Sequence, residues 1–519
     1  MKLVSLLWPA CSLLPAVLML AAVPLRRDAD VAAAWARWRV LAVAGVAAAA
    51  AALGLQLAAG PGTAEPPLPG LAVTLAGAWM ALLVQLLGTV IGVFSSRYLQ
   101  GEPGQPRYVA ALAGVLAAVQ VLLLADHWLV LIAAWAGVGG CLQHLLCFYR
   151  DRPFALLAAH KKRVADRLAD VLLVAAAALA WTEVGSGSLS DLGRHLEAAA
   201  PSAALQAGAV CLVLAVVLRT ALLPVHGWLI QVMEAPTPVS ALLHAGVINL
   251  GGYVLIRFAP WLDAVPLARW LLVGIGLATA VLAGLVMLTR ASVKVRLAWS
   301  TVAQMGFMVM ECGLGLYTLA LLHLLGHSLY KAHAFLAASS AVDTARLRTM
   351  HGGTQPTLAS LVVAPLASAA VIAGLLALQA GLVPVSAWPW WWSGVLALAW
   401  APLFWQPASR HPDAPGALHG ALAGAAMVAA LAAATVAGHA LPLGPVDTPD
   451  GPAGVVALAG LALLYASLVL LHARPAALAF WRRWSYAGFY VDEVATRAVL
   501  RLWPTRWTAA TDGPETRIP

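Results

Sequence analysis

Residues 316–341 read LYTLALLHLLGHSLYKAHAFLAASSA; this stretch is apolar over most of its length and contains no acidic residue. It is long enough to cross the hydrocarbon core of a bilayer, which takes about 20 residues of helix. A spanning segment must be helical or part of a closed barrel, because hydrocarbon offers no hydrogen bonds to the backbone. The apolar residues are continuous and do not alternate with polar ones. The stretch therefore predicts a membrane-spanning helix.

Basic side chains interrupt this predicted helix, and three of them, His323, His327 and Lys331, are spaced four residues apart. A spacing of four residues places them on one face of the helix, one turn apart. Ionisable groups at membrane depth are costly and usually face a polar interior, and both histidine and desolvated lysine can titrate near neutral pH. We interpret the row as a proton relay. A structural polar seam and a metal site are the alternatives, although a metalloprotease-type site requires glutamate where Leu324 stands.

The whole chain shares this apolar character. Of its 519 residues, 62% are hydrophobic and only 10% are charged, and the mean hydropathy is +0.85. A soluble domain carries about 25% charged residues. The sequence therefore predicts an all-α polytopic membrane protein with about fifteen transmembrane helices. The predicted spans are 3–24, 37–59, 71–94, 108–125, 127–147, 163–183, 204–223, 238–259, 267–288, 296–313, 316–341, 358–382, 388–405, 418–440 and 452–472.

Basic residues concentrate in alternate loops between these spans. The intervening loops 61–69, 185–201 and 441–452 contain Arg194 as their only arginine or lysine. Cytoplasmic loops carry the excess of lysine and arginine, so we predict a multi-pass inner-membrane protein with a periplasmic N-terminus and a cytoplasmic C-terminus. The cation-rich loops contain Arg26, Arg27, Arg37, Arg39, Arg97, Arg107, Arg150, Arg152, Lys161, Lys162, Arg163, Arg290, Lys294, Arg296, Arg346, Arg348, Arg410, Arg474, Arg482 and Arg483.

Several kinds of chemistry are not indicated. The net charge of +9 is explained by the topology of the loops, so we predict contact with membrane lipid and not with nucleic acid. The five cysteines form no CxxC pair, which argues against a disulfide framework or an iron–sulfur cluster. The chain has no phosphate-binding glycine-rich loop and no dinucleotide fingerprint. We therefore predict no cofactor, no metal and no catalytic residue, and an energy source in an ion gradient or a partner.

Further ionisable residues stand near predicted helix breaks. Arg219 precedes Pro224, and proline breaks a helix. A cation beside a broken helix is typical of ion paths in transporters; the alternative is that Arg219 extends to the cytoplasmic edge of the membrane. Glu234 and His244 flank the proline-rich start of the next span, so we expect this carboxylate and imidazole to lie near one another.

The sixth predicted span begins in a charged run that contains Lys161, Lys162 and Asp166. We interpret most of this run as ordinary cytoplasmic charge and Asp170, one turn inside, as its functional member. Glu311, near the end of the tenth predicted span, has no partner that the sequence identifies.

The composition divides the chain into four predicted regions. Residues 1–70 form N-terminal transmembrane helices, 71–345 a proton-translocating core, 346–475 C-terminal transmembrane helices and 476–519 an amphipathic tail. The tail interleaves tryptophan and tyrosine with arginine, which is typical of a helix at the membrane interface. The alternative role for the tail is docking to a partner.

The core resembles the antiporter-like subunits of respiratory complex I and of Mrp antiporters. The resemblance rests on APTPVSALLHAG at 235–246, on VKVRLAWSTVAQMGFM at 293–308 and on the stretch 323–335. It implies a helix bundle with two inverted five-helix repeats and broken helices. Glu234 is also predicted to lie on the proton path, because it stands at the proline-rich start of the next span. The residues that the resemblance assigns to this path are Asp170, Arg219, His244, Lys294, His323, His327 and Lys331.

The chain departs from the pattern of that family at three points. The family's glutamate on the fifth span is replaced by Ala136, and its broken-helix lysine is replaced by Arg219. Arginine does not release its proton in proteins. No lysine follows Lys331, so the usual cation of the second broken helix is missing, and we expect no long lateral helix after Trp507.

A second resemblance, to the DabB family, covers the connecting loops as well. It rests on FSSRYL at 94–99, GEPGQ at 101–105, FYRDRP at 148–153 and AAHKKR at 158–163. The resemblance implies a cation-conducting subunit of a two-component inorganic carbon (CO2/bicarbonate) accumulation system. It also implies a large peripheral zinc-containing partner of the DabA type, whose CO2 hydration the cation flow would power. The alternatives are a proton-pumping subunit of a complex I-like quinone oxidoreductase and a subunit of a multi-component cation/proton antiporter.

Overall fold

The computed structural model describes residues 2–27, 30–59, 68–338, 356–382, 388–406, 416–474, 476 and 478–505. The described residues are almost entirely helical, and only isolated β-bridges occur among them. The helices are α1 (Lys2–Ala22), α2 (Val31–Ala59), α3 (Leu75–Tyr98), α4 (Gln105–Leu124), α5 (Trp128–Leu146), α6 (Pro153–Val184), α7 (Leu189–Ala198), α8 (Ala203–Arg219), α9 (Gly227–Gln231), α10 (Thr237–Ala245), α11 (Leu250–Arg257), α12 (Ala259–Ala264), α13 (Pro266–Met287), α14 (Val293–Gly313), α15 (Tyr317–Leu336), α16 (Leu358–Leu382), α17 (Trp390–Trp400), α18 (Ala417–His439), α19 (Gly451–Ala473), α20 (Ala479–Tyr486) and α21 (Val491–Leu502).

The predicted all-α membrane architecture is confirmed. Ten segments among the described residues are long and apolar enough to cross a bilayer, and α8 is a shorter apolar helix. A helix overlaps each predicted span, whereas the count of about fifteen transmembrane helices stays a prediction. The predicted loops around Arg346, Arg348 and Arg410, most of the loop 61–69, the end of the stretch 316–341 and the tail beyond 505 lie outside the described residues.

Local sequence signals set several helix ends. The side chains of Thr74, Ser188, Ser202 and Asp450 accept hydrogen bonds from backbone N–H groups in the first turns of α3, α7, α8 and α19. Such N-caps satisfy donors that have no partner within the helix. Gly185 ends α6 at a φ of 74°, a left-handed conformation that glycine adopts at little cost.

The chain is broken in the two places that frame the functional region. Helix α8 ends at Arg219, and the segment before α9 contains Ala221 at a φ of 50° and Pro224, as the proline predicts. The predicted span 238–259 is also broken, at Gly246 between α10 and α11. A Cβ at Gly246 would lie 2.9 Å from the carbonyl oxygen of Leu242, so this bend requires glycine.

Apolar packing forms two clusters. The larger one is built mainly from α1 to α15 and surrounds the broken helices. The smaller one joins α16 to α19 with one side of α13, α14 and α15. Helices α13 and α14 approach closely at Gly276, where an added Cβ would lie 2.6 Å from the carbonyl oxygen of Gly306. Small residues allow such close helix contacts inside a membrane.

Two short amphipathic segments complete the description. Helix α7 lies in the 185–201 region, which the sequence predicted to be a loop. The C-terminal segment contains α20 and α21, with Trp481, Trp484 and Tyr490 exposed. Its predicted place at the membrane interface stays a prediction. Its contact with α6 and α9 through Asp492 was not predicted.

Candidate ion path

The basic row of α15 is buried at its C-terminal end. Lys331 is fully buried, and its Nζ donates hydrogen bonds to the Ser300 hydroxyl and, at 3.2 Å, to the carbonyl oxygen of Leu297. Both acceptors are neutral groups of α14. No carboxylate among the described residues forms an ion pair with Lys331. A buried ammonium without a counterion is costly.

The other end of the row carries a carboxylate. His323 Nδ1 lies 2.8 Å from Glu311 Oε2. Glu311 is buried near the end of α14, and the short connection to α15 brings the two side chains together. No local pattern in the sequence identifies a partner for Glu311; in the structure its partner is His323. The row therefore runs from an acid–imidazole pair to a buried amine.

His327 links the row to the break in the neighbouring helix. Its Nε2 lies 3.2 Å from the carbonyl oxygen of His244, and its ring centroid lies 6.0 Å from that of His323. His244 is fully buried and stacks on Phe335 at 4.4 Å between ring centroids. Neither ring nitrogen of His244 has a hydrogen-bond partner, and Nδ1 of His327 also lacks one. Buried polar atoms are nearly always hydrogen-bonded, so these unpaired nitrogens are unusual and are candidates for binding a proton or a water molecule.

Arg219 lies in a second cluster, formed by α5, α6 and α8. Its guanidinium pairs with Asp170, donates to the carbonyl oxygen of Trp135 at 2.9 Å and lies 4.7 Å from the centroid of the Trp135 ring. Asp170 also accepts from Arg167 at 3.3 Å. Arg219 is buried within the protein. Asp170 thus provides the counterion of Arg219.

The remaining predicted site residues lie apart from these clusters. Lys294 Nζ donates to the Thr237 hydroxyl at 2.9 Å, at the start of α10. Glu234 keeps one carboxylate oxygen buried without a partner, and its carbonyl oxygen accepts from Arg152 at 2.7 Å. Among the described residues, no hydrogen bond or ion pair joins Glu234 to His244. Glu234 and His244 were predicted to lie near one another, and the described residues show no direct contact between them.

The charged run of α6 is not ordinary surface charge. Lys161 and Lys162 are each 4% exposed, and Lys162 pairs with Asp166. A Cβ at Gly139 of α5 would lie 2.8 Å from Asp166 Oδ2, so this glycine lets the carboxylate approach. Lys162, Asp166 and Asp170 repeat the four-residue spacing of the α15 row, a signal that the sequence analysis did not use.

His226 is a further buried imidazole that the sequence analysis missed. It is fully buried, neither ring nitrogen has a hydrogen-bond partner, and its ring centroid lies 5.0 Å from that of Trp299. Trp299 precedes Ser300, the residue that binds Lys331. His226 lies in the broken segment ahead of α9 and packs against α14 through Trp299. Its position two residues after Pro224 was the available signal.

The comparison with known proteins identifies the family. Residues 125–401 match the family described as "NADH:quinone oxidoreductase/Mrp antiporter, TM". The chain is 38% identical over 448 residues to the "Probable inorganic carbon transporter subunit DabB" of Hydrogenovibrio crunogenus, which covers 84% of this chain and 85% of that one. The chain belongs to the DabB family. Its DabB relatives are named as transporter subunits, and both resemblances read from the sequence are confirmed.

The wider superfamily is visible in more distant matches to this DabB-family chain. It is 34% identical over 278 residues to the NADH-ubiquinone oxidoreductase chain 5 of Metridium senile, covering 53% of this chain and 46% of that one. A solved structure, the membrane-bound sulfane sulfur reductase, an archaeal respiratory membrane complex, has a TM-score of 0.57 at 18% identity. That match covers 96% of this chain and 100% of that one and shows the shared fold.

Proposed function

We propose that this DabB-family chain is the cation-conducting subunit, with H⁺ as the cation, of a two-component inorganic carbon accumulation system. The single observation that carries the proposal is the fully buried Lys331, which has only neutral hydrogen-bond partners and lies beyond His327 in a row of titratable groups. The names of the DabB relatives support the carbon-transport role. A row of this kind moves charge across a membrane and does not by itself change a substrate.

The proposed path involves α14, α15, α6 and α8. Protons would move along α15, pass through the His226 region to α6 and continue beside α8. The contacts of Lys331 with Ser300 and of His226 with Trp299 support the junction. The residues that would carry the proton are Glu311, His323, His327, Lys331, His226, Lys162, Asp166 and Asp170.

Arg219 has a different role in this proposal. Arginine stays protonated in proteins, so Arg219 would act as a fixed charge that holds Asp170 ionised and oriented. The pairing of Arg219 with Asp170 and its bond to the Trp135 carbonyl support this assignment. His244, Glu234 and Lys294 would line the access regions on either side.

The assembly and location follow the same reasoning. We place the chain in the inner membrane, with the N-terminus in the periplasm and the C-terminus in the cytoplasm, because of its loop charges. The core at 71–345 and the C-terminal helices at 346–475 contribute mainly to different apolar clusters, and the helices of residues 1–70 belong to the same cluster as the core. The partner would be a large peripheral zinc-containing DabA-type subunit, and conduction would power its one-way hydration of CO2.

Growth provides the test of this function. A host that lacks carbonic anhydrase should grow in air when it expresses the chain together with its partner subunit. Lys331→Ala and His327→Ala should abolish this rescue, because each removes a titratable group from the buried row. His333→Ala is the matched control, since His333 lies exposed on the same helix and should be replaceable. Full rescue by both buried-row variants would sink the relay assignment.

A further inference from the structure

The C-terminal helix α21 places a carboxylate against α6 and α9. Asp492 forms an ion pair with Lys161 of α6 and accepts a hydrogen bond from Gln231 Nε2 at 3.0 Å. Gln231 Oε1 in turn lies 3.4 Å from Lys161 Nζ. The three side chains come from α21, α6 and α9, so this cluster exists only when the C-terminal segment is docked.

The protein has a socket shaped for this carboxylate. A Cβ on Gly227, the first residue of α9, would lie 1.4 Å from Asp492 Oδ1 and 2.6 Å from Lys161 Nζ. A side chain at position 227 would displace the Asp492 carboxylate from its docked position. The chain leading into α21 carries two consecutive non-glycine residues in the left-handed region, Phe489 at a φ of 57° and Tyr490 at 56°. Such conformations persist where surrounding contacts fix them.

Further contacts hold the segment in place on both sides of the socket. The Arg290 guanidinium carbon lies 5.5 Å from the centroid of the Trp299 ring and 5.8 Å from that of Tyr486. At the far end of α21, the carbonyl oxygen of Trp503 lies 3.1 Å from His160 Nε2. The docked position of Asp492 is therefore supported from three directions.

Exposure falls in steps from this cluster into the protein. The side chain of Asp492 is 26% exposed, that of Lys161 is 4% exposed, and His226 is completely buried. His226 directly precedes Gly227, the socket residue, and both of its ring nitrogens lack a hydrogen-bond partner. Beyond it lies Trp299. Exposure therefore decreases from the carboxylate of Asp492 to the amine of Lys161 and the imidazole of His226.

We propose that Asp492 is the carboxylate through which protons enter or leave the ion path at its cytoplasmic end, supplied to the core by the C-terminal segment. This inference rests on the proposed conduction function. A proton from bulk water binds a carboxylate oxygen of Asp492, which removes the negative charge that holds the proton on Lys161. Lys161 then transfers its proton to His226, and Asp492 returns its own proton to Lys161. In each cycle one proton binds from water and one passes to His226, so the Asp492–Lys161 pair returns to its starting charge.

Proton flux through charge-matched variants tests the proposal. The full chain, purified with the partner subunit that remains bound, is reconstituted in vesicles that contain a pH-sensitive dye and are driven by a potassium diffusion potential. Asp492→Asn should lower the initial flux by about a hundredfold, the lower end of the range for loss of a positioned acid–base group. Glu493→Gln is the matched control, because Glu493 is its exposed neighbour on the same helix and loses the same charge.

Chemical rescue separates a proton-carrying role from a merely structural one. Adding formate should restore flux to Asp492→Ala, because a small weak acid can occupy the vacated socket and carry the proton. Hydrogen exchange of residues 491–502 reports whether α21 remains docked. Wild-type flux in Asp492→Asn, or a loss of flux that formate does not restore, would overturn the entry role. A wild-type chain that conducts no protons would instead refute the proposed function itself.

Discussion

Arg219 is a buried cation whose stability depends on one carboxylate, that of Asp170. Asp170→Asn should lower the free energy of unfolding by about 3 kcal/mol, because breaking a buried pair leaves an uncompensated charge. The measurement is thermal unfolding of the purified chain in detergent. Asp191→Asn is the comparison, since the pair of Asp191 with Arg194 is an exposed ion pair, and its loss should cost under about 1 kcal/mol. Equal losses in the two variants would contradict the assignment.

The residues of the path differ in how far the sequence could reveal them. His323, His327 and Lys331 were predicted because three basic groups interrupt an apolar helix at one spacing. Lys161 was misjudged because a charged run at a helix start is usually solvated. Its partner Asp492 lies 331 positions away along the chain, and no local pattern can report such a contact.

At the scale of elements, the contact between α13 and α14 depends on glycine. A Cβ at Gly276 would lie 2.6 Å from the carbonyl oxygen of Gly306 and 2.7 Å from the backbone nitrogen of Met310. Gly276→Ala should therefore destabilise the protein by roughly 1–3 kcal/mol, the usual cost of overpacking. Thermal unfolding in detergent measures this loss.

Gly274, on the same helix, provides the control for this prediction. An added Cβ there meets no atom within 4 Å. Gly274→Ala should leave stability unchanged or raise it by roughly 0.5–1 kcal/mol, because alanine is the better helix former. If both alanine variants unfolded at the wild-type temperature, the close contact of α13 and α14 would be of no energetic importance.

The sequence predicted helices better than helix breaks. Long apolar runs predicted every span that a helix now overlaps, because burial in lipid requires that pattern. The bend at Gly246 was missed, since a single glycine in an apolar run does not distinguish a bend from a continuous helix. The short helix α7 was missed because it is amphipathic and too short to resemble a span.

At the scale of the whole molecule, composition alone was enough for the membrane class, and the quoted motifs were enough for the family. The arrangement of the path required tertiary structure. Its two rows lie on α6 and α15, and the proposed junction at His226 depends on a broken segment between them. Side chains from distant parts of the chain meet there, so their relation follows from packing and not from spacing.

Proton flux through the buried row is the most direct test of the account. Vesicles containing the wild-type chain with its bound partner are driven by a potassium diffusion potential, and an internal dye reports the change in pH. We predict rapid acidification or alkalinisation in the direction of the imposed potential, reduction to the level of protein-free vesicles in Lys331→Met, and unchanged flux in His333→Ala. Flux in Lys331→Met equal to that of the wild-type chain would contradict the central claim that this row conducts the cation.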